Sequence, residues 1–329
     1  MTRALSIVVD QALAAAVRAP SPHNTQPWRF ALDRDRVEVR LDRDRVLTVA
    51  DPEAREARLS CGAALLNLVV SLRCQGFEPL VELLPDAAEP DLLAVVTHEG
   101  KHRVSVEDQT LADAVFRRHT HRRPFLDRTV SAGIQATLAR AASREAASLH
   151  FVDAEYAGLT ALVRRAEFLQ AGDDAFRAET ARWTRRDAAS PDGVPLAAAA
   201  PPPDHDGVVA LRESHLDPDL PVRAYEQQPL LAVVLTPDSG PAAEVRAGLA
   251  MQRVLLTATS VRVAASFLSQ PFEVASTRGR ITELFRPLGR PHTVLRLGYG
   301  YSAASWTGRR PVHDVVVPAG RRGRDGGWR

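Results

Sequence analysis

The chain has 329 residues, 45% of them apolar and 25% charged, with a formal net charge of +2. That length allows one large domain or two of ordinary size, and the composition supplies a real core. The charge is too small to argue for nucleic acid, and apolar runs such as 65–72 are too short to span a bilayer, so neither nucleic acid nor a membrane is an expected partner. The two cysteines, Cys61 and Cys74, show neither metal spacing nor a disulfide framework, which makes a reducing cytoplasm the default. Lys101 is the single lysine among 42 basic residues. Mechanisms that need a lysine Schiff base or a P-loop lysine therefore have almost no candidates, and anion binding falls to arginine and backbone N–H groups.

In chain order, the first twenty residues carry an Asp inside an apolar helical pattern and read as a helix of the mature protein rather than a signal peptide. They run into RAPSPHNTQPWRF (18–30), which holds more turn chemistry than a plain helix-to-strand connection requires. DRDRVEVRLDRDRV (33–46) alternates charged and apolar residues and reads as an exposed β-hairpin with cross-strand ion pairs. The segment 45–77 passes from a strand-like run through a Pro/Asp turn to Gly62 and an apolar helix. It aligns without a gap on 231–263, which meets Gly248, at an offset of 186 residues. Weaker matches flank this unit: 11–30 resembles 134–152, with Phe30 falling on Phe151, and 91–100 resembles 293–300. The pattern predicts an α+β protein of two related halves fused head to tail. The halves divide as 1–105 and 106–317, followed by a polar tail, 318–329. The two offsets differ by about 65 residues, which places an insertion near 165–228. Its start, 176–187, reads as a helix bearing Trp183, and the Pro- and Ala-rich stretch 187–207 reads as a lid.

APSPHNTQPWRF (19–30), FRRHTHRRPF (116–125), LRLGYG (295–300) and GRRPVHDVV (308–316) resemble the motifs of the FMN-dependent nitroreductase fold, and with the tandem halves they look most like its actinobacterial Acg branch. The resemblance implies one FMN per chain, held between halves that imitate the usual dimer, and hence a monomer. Its phosphate falls to Arg118, Thr120 and Arg122, with Arg309 and Arg310 arriving from the far end of the chain. Arg118 and Arg122 lie four apart, so they would share a face of a helix. Ser21 and Asn24 are placed at the pyrimidine edge or the ribityl hydroxyls, and Gln270 and Pro271 of SQPFEV (269–274) against the flavin. Gln26 is expected to fix the turn. Trp28 is expected to pack in the core under the turn rather than stack on the flavin, and the partner of the reduced flavin's N1/O2 edge is left between Arg122 and Arg123.

The implied activity is an oxidoreductase in which NAD(P)H reduces FMN and a nitroaromatic or quinone-like acceptor reoxidises it, with no side-chain acid or base required. The other reading is a weakly catalytic FMN-binding protein that stores, sequesters or senses flavin beneath the lid. His119 and His121 lack further ligands at metal spacing, so no metal is expected. No dinucleotide fingerprint and no nucleophile elbow is present.

Overall fold

The computed structural model describes residues 3–33, 36–185, 187, 189–201, 219–226, 229–300 and 307–318. Residues 202–218, which make up much of the expected lid and its flank, and 319–329, nearly all of the expected tail, lie outside these. Helix α1 (Arg3–Ala16) is followed by strands β1 (Trp28–Asp33) and β2 (Arg36–Leu41), helix α2 (Arg55–Cys74) and strands β3 (Phe77–Leu83) and β4 (Leu92–Lys101). Helices α3 (Val106–Arg117) and α4 (Ala132–Ser143) lead to β5 (Ser148–Phe151). Then come α5 (Tyr156–Ala171), α6 (Asp174–Arg182), β6 (Thr184–Arg185), β7 (Val194–Pro195) and β8 (Leu230–Thr236). The chain closes with α7 (Pro241–Ser260), β9 (Ala264–Phe267), α8 (Gln270–Glu273), α9 (Ala275–Phe285), β10 (Arg290–Gly298), α10 (Val312–Val315) and β11 (Val316–Pro318).

Two sheets result. One has the order β11-β1-β2-β4-β3 and the other β5-β8-β10-β9. Matching β1 to β5, β2 to β8, β4 to β10 and β3 to β9 makes the orders the same, and every matched pair is antiparallel. Phe30 and Phe151 thus sit on corresponding strands. β11 is an addition to the first sheet: the end of the chain pairs in parallel with β1, Phe30 against Val316.

The helices α2 and α7 are each 20 residues long, and their bounds differ by 186 at both ends. They cross in the centre of the molecule at Gly62 and Gly248. A Cβ at Gly62 would lie 2.1 Å from the Val245 carbonyl oxygen, and one at Gly248 would lie 2.1 Å from that of Leu59. Only glycine permits this approach. Beside the crossing, Arg58 pairs with Glu244, its own counterpart at the same offset, and Gln252 Nε2 donates to Asn67 Oδ1 at 2.7 Å. By length and composition α2 could cross a membrane, but it is mostly buried here, with Leu65, Leu66 and Leu68 in the shared core.

The strand-like run at 45–50 is not a strand. Residues 43–45 form a turn of 3-10 helix, and the chain bends from there to α2. Its backbone donors are satisfied from α6 instead: Glu179 accepts from Val49 and Ala50 N–H, at 2.9 Å for Ala50, while Phe176 packs on Leu47 and Ala50. The true counterpart of β8 is β2. The hairpin at 33–46 differs from expectation in a related way. β2 lies inside the sheet between β1 and β4, so Val37, Val39 and even Glu38 are buried, the last between Arg36 and Arg40.

Candidate functional site

RAPSPHNTQPWRF folds into a tight turn between α1 and β1. His23, Asn24 and Gln26 all have positive φ, at 46°, 57° and 55°. Three such residues in four positions are strained, and surrounding bonds must hold them. The Gln26 N–H donates to Ser21 Oγ at 2.9 Å. Asn24 Nδ2 donates to the carbonyls of Gly193 and Gly308 at 3.0 and 3.1 Å. Gln26 Nε2 donates to the Pro191 carbonyl at 2.8 Å, and its Oε1 accepts the Arg310 N–H at 2.9 Å. The two amides therefore knit the turn to the insertion and to the C-terminal segment. Trp28 is fully buried in the core under it.

Beside this turn lies an open cleft. The turn contributes Ser21 and His23, α2 contributes Glu56, Leu59 and Ser60, and α7 contributes Met251. Thr120 and Arg122 come from the segment after α3, Ser266, Phe267 and Ser269 from the end of β9, and Ala200 from the insertion. Both halves thus supply walls.

The segment holding Arg118, Thr120 and Arg122 is extended rather than helical. α3 ends at Arg117, Arg118 has φ −62° and ψ 128°, and Thr120 forms a parallel β-bridge with Ala265. In an extended chain alternate residues share a side. That puts 118, 120 and 122 together, by period two instead of four. His121 faces the other way. It stacks on Phe125 with ring centroids 5.2 Å apart and covers Gly300, where a Cβ would lie 2.4 Å from the imidazole. Burial lowers the His121 pKa to about 4, so the ring is neutral. His119 is lowered as well, first by burial and then by Arg118 and Arg122. Neither belongs to a metal cluster among the described residues.

Arg118 and Arg309 form the centre of a positive cluster. Arg118 is 4% exposed, and burial followed by the charges of Arg18 and Arg122 lowers its pKa to about 10. Arg122, half-buried, is lowered to about 10 by burial. Arg309 is lowered further, by burial and then by Arg118, Arg18 and Arg122. Among the described residues no carboxylate pairs with Arg118, Arg122 or Arg309, and Nε of both Arg118 and Arg309 lacks a hydrogen-bond partner. The Arg18 carbonyl accepts a terminal N–H from both Arg118 and Arg309 at 3.4 Å, so Arg18 stands between them. Like charges buried together without a counter-ion are costly, and an anion such as a phosphate removes the cost.

The structure thus brings Ser21, Arg118, Thr120, Arg122 and Arg309 to one region. Four other expected residues point elsewhere. The Asn24 amide is taken by the two carbonyls described above. Arg310 reaches Asp314 O at 2.7 Å and Asp42 at 3.7 Å. Gln270 is buried in α8 and donates to Glu167 at 3.2 Å, and Pro271 is buried beside it, while Ser269 just before them lines the cleft. Arg18 and Glu56 were missed. Arg18 differs from any other arginine only by preceding the turn, and Glu56 is one of many acids at the start of a helix.

Besides the bonds of Asn24, Gln26 and Glu179, two ion pairs hold the insertion. Arg45 pairs with Asp192 at 2.5 Å and lies over Trp183, 5.2 Å from its ring centre. Further on, Glu226 pairs with the buried Arg296 of β10, and its other oxygen accepts the Phe125 N–H at 3.0 Å. The stretch 190–195 therefore supports the turn from outside, and Ala200 is the described part of the expected lid that reaches the cleft.

No family model matches the chain. It is 34% identical over 319 residues, covering 94% of this chain and 90% of the relative, to a Mycobacterium tuberculosis H37Rv protein named "Putative NAD(P)H nitroreductase Rv3131". It is 28% identical over 315 residues, 94% of this chain and 95% of the relative, to "Putative NAD(P)H nitroreductase acg" of the same strain. Among solved structures, an FMN-bound nitroreductase of Bacteroides fragilis matches with a TM-score of 0.39 at 15% identity, covering 61% of this chain and 93% of that one.

Proposed function

Since the chain belongs to the nitroreductase-like family of these mycobacterial relatives, we propose that it is an FMN-dependent oxidoreductase that passes two electrons from NAD(P)H to a nitroaromatic or quinone-like acceptor. The observation that carries this reading is the buried arginine cluster without a described carboxylate partner, whose Arg122 lines the cleft. Arg118, Arg122 and Arg309, with Arg18 between them, would hold the phosphate, which carries about two negative charges near neutral pH. Thr120 and Ser21 offer hydroxyls along the cleft toward the turn. Bound there, FMN supplies hydride chemistry that no side chain has. The protein's part is orientation, charge and exclusion of water.

The halves, divided at 105/106, form the walls of one site. Only the first has the Ser21 turn and only the second has the arginine segment, so we expect one FMN per chain in a monomer. The test is anaerobic mixing of the flavin-loaded protein with NADPH and, separately, with NADH. Bleaching of the flavin followed by recovery on adding a quinone supports the oxidoreductase. Colour that persists with both donors means a protein that holds flavin without turning it over.

A further inference from the structure

We propose that Glu56 is the proton donor to the electron acceptor that enters the cleft, an inference that rests on the oxidoreductase reading above. Glu56 is the one carboxylate on the cleft wall among the described residues, and it is 7% exposed. Glu56, Leu59 and Ser60 stand at i, i+3 and i+4, one face of α2, and that face turns into the cleft. The neighbouring Arg55 and Arg58 turn to Glu244 of α7 instead.

Reduction of a quinone to the neutral hydroquinone takes up a proton, which a positioned acid can supply faster than solvent. A hydride equivalent, drawn from the nicotinamide donor through the flavin, makes one bond to hydrogen. The remaining oxygen then carries the electron pair of the broken C=O bond and must take a proton. Glu56 gives up its O–H proton, a new O–H bond forms, the hydroquinone leaves, and the carboxylate takes a proton back from water. The balance is NAD(P)H, one proton and a quinone giving NAD(P)+ and a hydroquinone. Burial disfavours a charged carboxylate. Asp51 shows the strength of this effect at the same helix start: it accepts the N–H groups of Arg55 and Ala57 at 2.8 and 2.9 Å, and burial still pushes its carboxyl to about 6. Arg122 and His23 share the cleft, and Arg122 with the N-terminus of α2 pulls the other way.

The test is Glu56→Gln, with Glu56→Asp as the conservative control, both loaded with FMN. Equal flavin content and fluorescence check the fold. We expect reoxidation by a neutral quinone to slow by about 10²–10⁴-fold, the usual contribution of a positioned acid, and by far more than flavin reduction slows. The pH dependence of reoxidation should vanish in Glu56→Gln and return in Glu56→Asp. The visible spectrum of bound oxidised flavin should also show a pH step in the wild type that Glu56→Gln lacks. Reoxidation with unchanged rate and pH profile in Glu56→Gln overturns the proposal. If neither nicotinamide reduces the wild type, photochemical reduction supplies the electrons. The donor reading then fails by itself, and Glu56 is still judged on reoxidation.

Discussion

Replacing Arg118 by Met should stabilise the empty protein while weakening its hold on FMN, so that FMN raises the melting temperature less than it does in the wild type. In the empty protein, a guanidinium held at about 10 against an ordinary 12.5 costs the fold on the order of 3 kcal/mol. The sign follows from the protonated form being the disfavoured one. Below the lowered pKa the folded state carries a charge that the unfolded chain holds more easily, so at neutral pH the whole cost is present. Met keeps much of the volume and removes the charge, so the apo-protein should melt higher. With FMN present the same residue supplies charged hydrogen bonds, each contributing roughly 1.5–3 kcal/mol. Their loss corresponds to about ten- to a hundredfold in affinity. Riboflavin, which has no phosphate, should lose less than threefold, as an order-of-magnitude expectation. Calorimetric titration of apo-protein with FMN and riboflavin, beside thermal melts of both forms, reads all four quantities. Equal losses for the two flavins, or an apo-protein that melts lower, would refute the assignment of the cluster to phosphate.

Arg18→Ala should also weaken FMN in the same titration and make binding less sensitive to salt, by less than Arg118→Met because Arg18 is only half-buried. Gly62→Ala should destabilise by about 1–3 kcal/mol or more in urea unfolding, because the new methyl meets the Val245 carbonyl. Adding Gly248→Ala should cost less than the sum, since both act on one crossing. His102 lies between Glu78 and Asp108, at 2.5 and 2.9 Å. Its pKa is raised, chiefly by Asp108, and those of Glu78 and Asp108 are lowered. The His102 contribution is full below the unfolded imidazole value and is lost as pH rises through the raised one. The carboxylate contributions are present above their unfolded values and lost as pH falls through the lowered ones. The stability gap to His102→Gln should thus be widest between ordinary carboxylate and imidazole values and close toward alkaline pH, as urea midpoints across pH would show.

The repeat was legible because a helix crossing at two glycines needs the same small residue at the same place in both halves, and nothing in a 20-residue helix can shift without losing the crossing. The neighbouring strand was misplaced because RVLTVA and LAVVLT have similar apolar content while their backbone partners differ. Glu179, some 130 residues away, satisfies the first and a sheet satisfies the second. The spacing of Arg118 and Arg122 fits a helix face or a strand side, and the bridge of Thr120 to Ala265 decides for the strand side. The Gln26 amide fixes the turn as its place in the sequence suggested, whereas the Asn24 amide looked like a ligand group because a turn this rich in polar side chains commonly faces one. Their partners are carbonyls at 191, 193 and 308, contacts that local sequence cannot express. Ser21 and the arginines at 118, 122 and 309 were singled out by motif residues. Arg18 was not, since its position depends on where Arg118 and Arg309 meet.

Sedimentation of the flavin-loaded protein, read in the protein band and in the flavin's visible band, tests most directly whether one chain builds the whole site. The prediction is one boundary at the mass of a single chain, with one FMN for each. Flavin that sediments only with a two-chain species, and is released when that species dissociates on dilution, would contradict it.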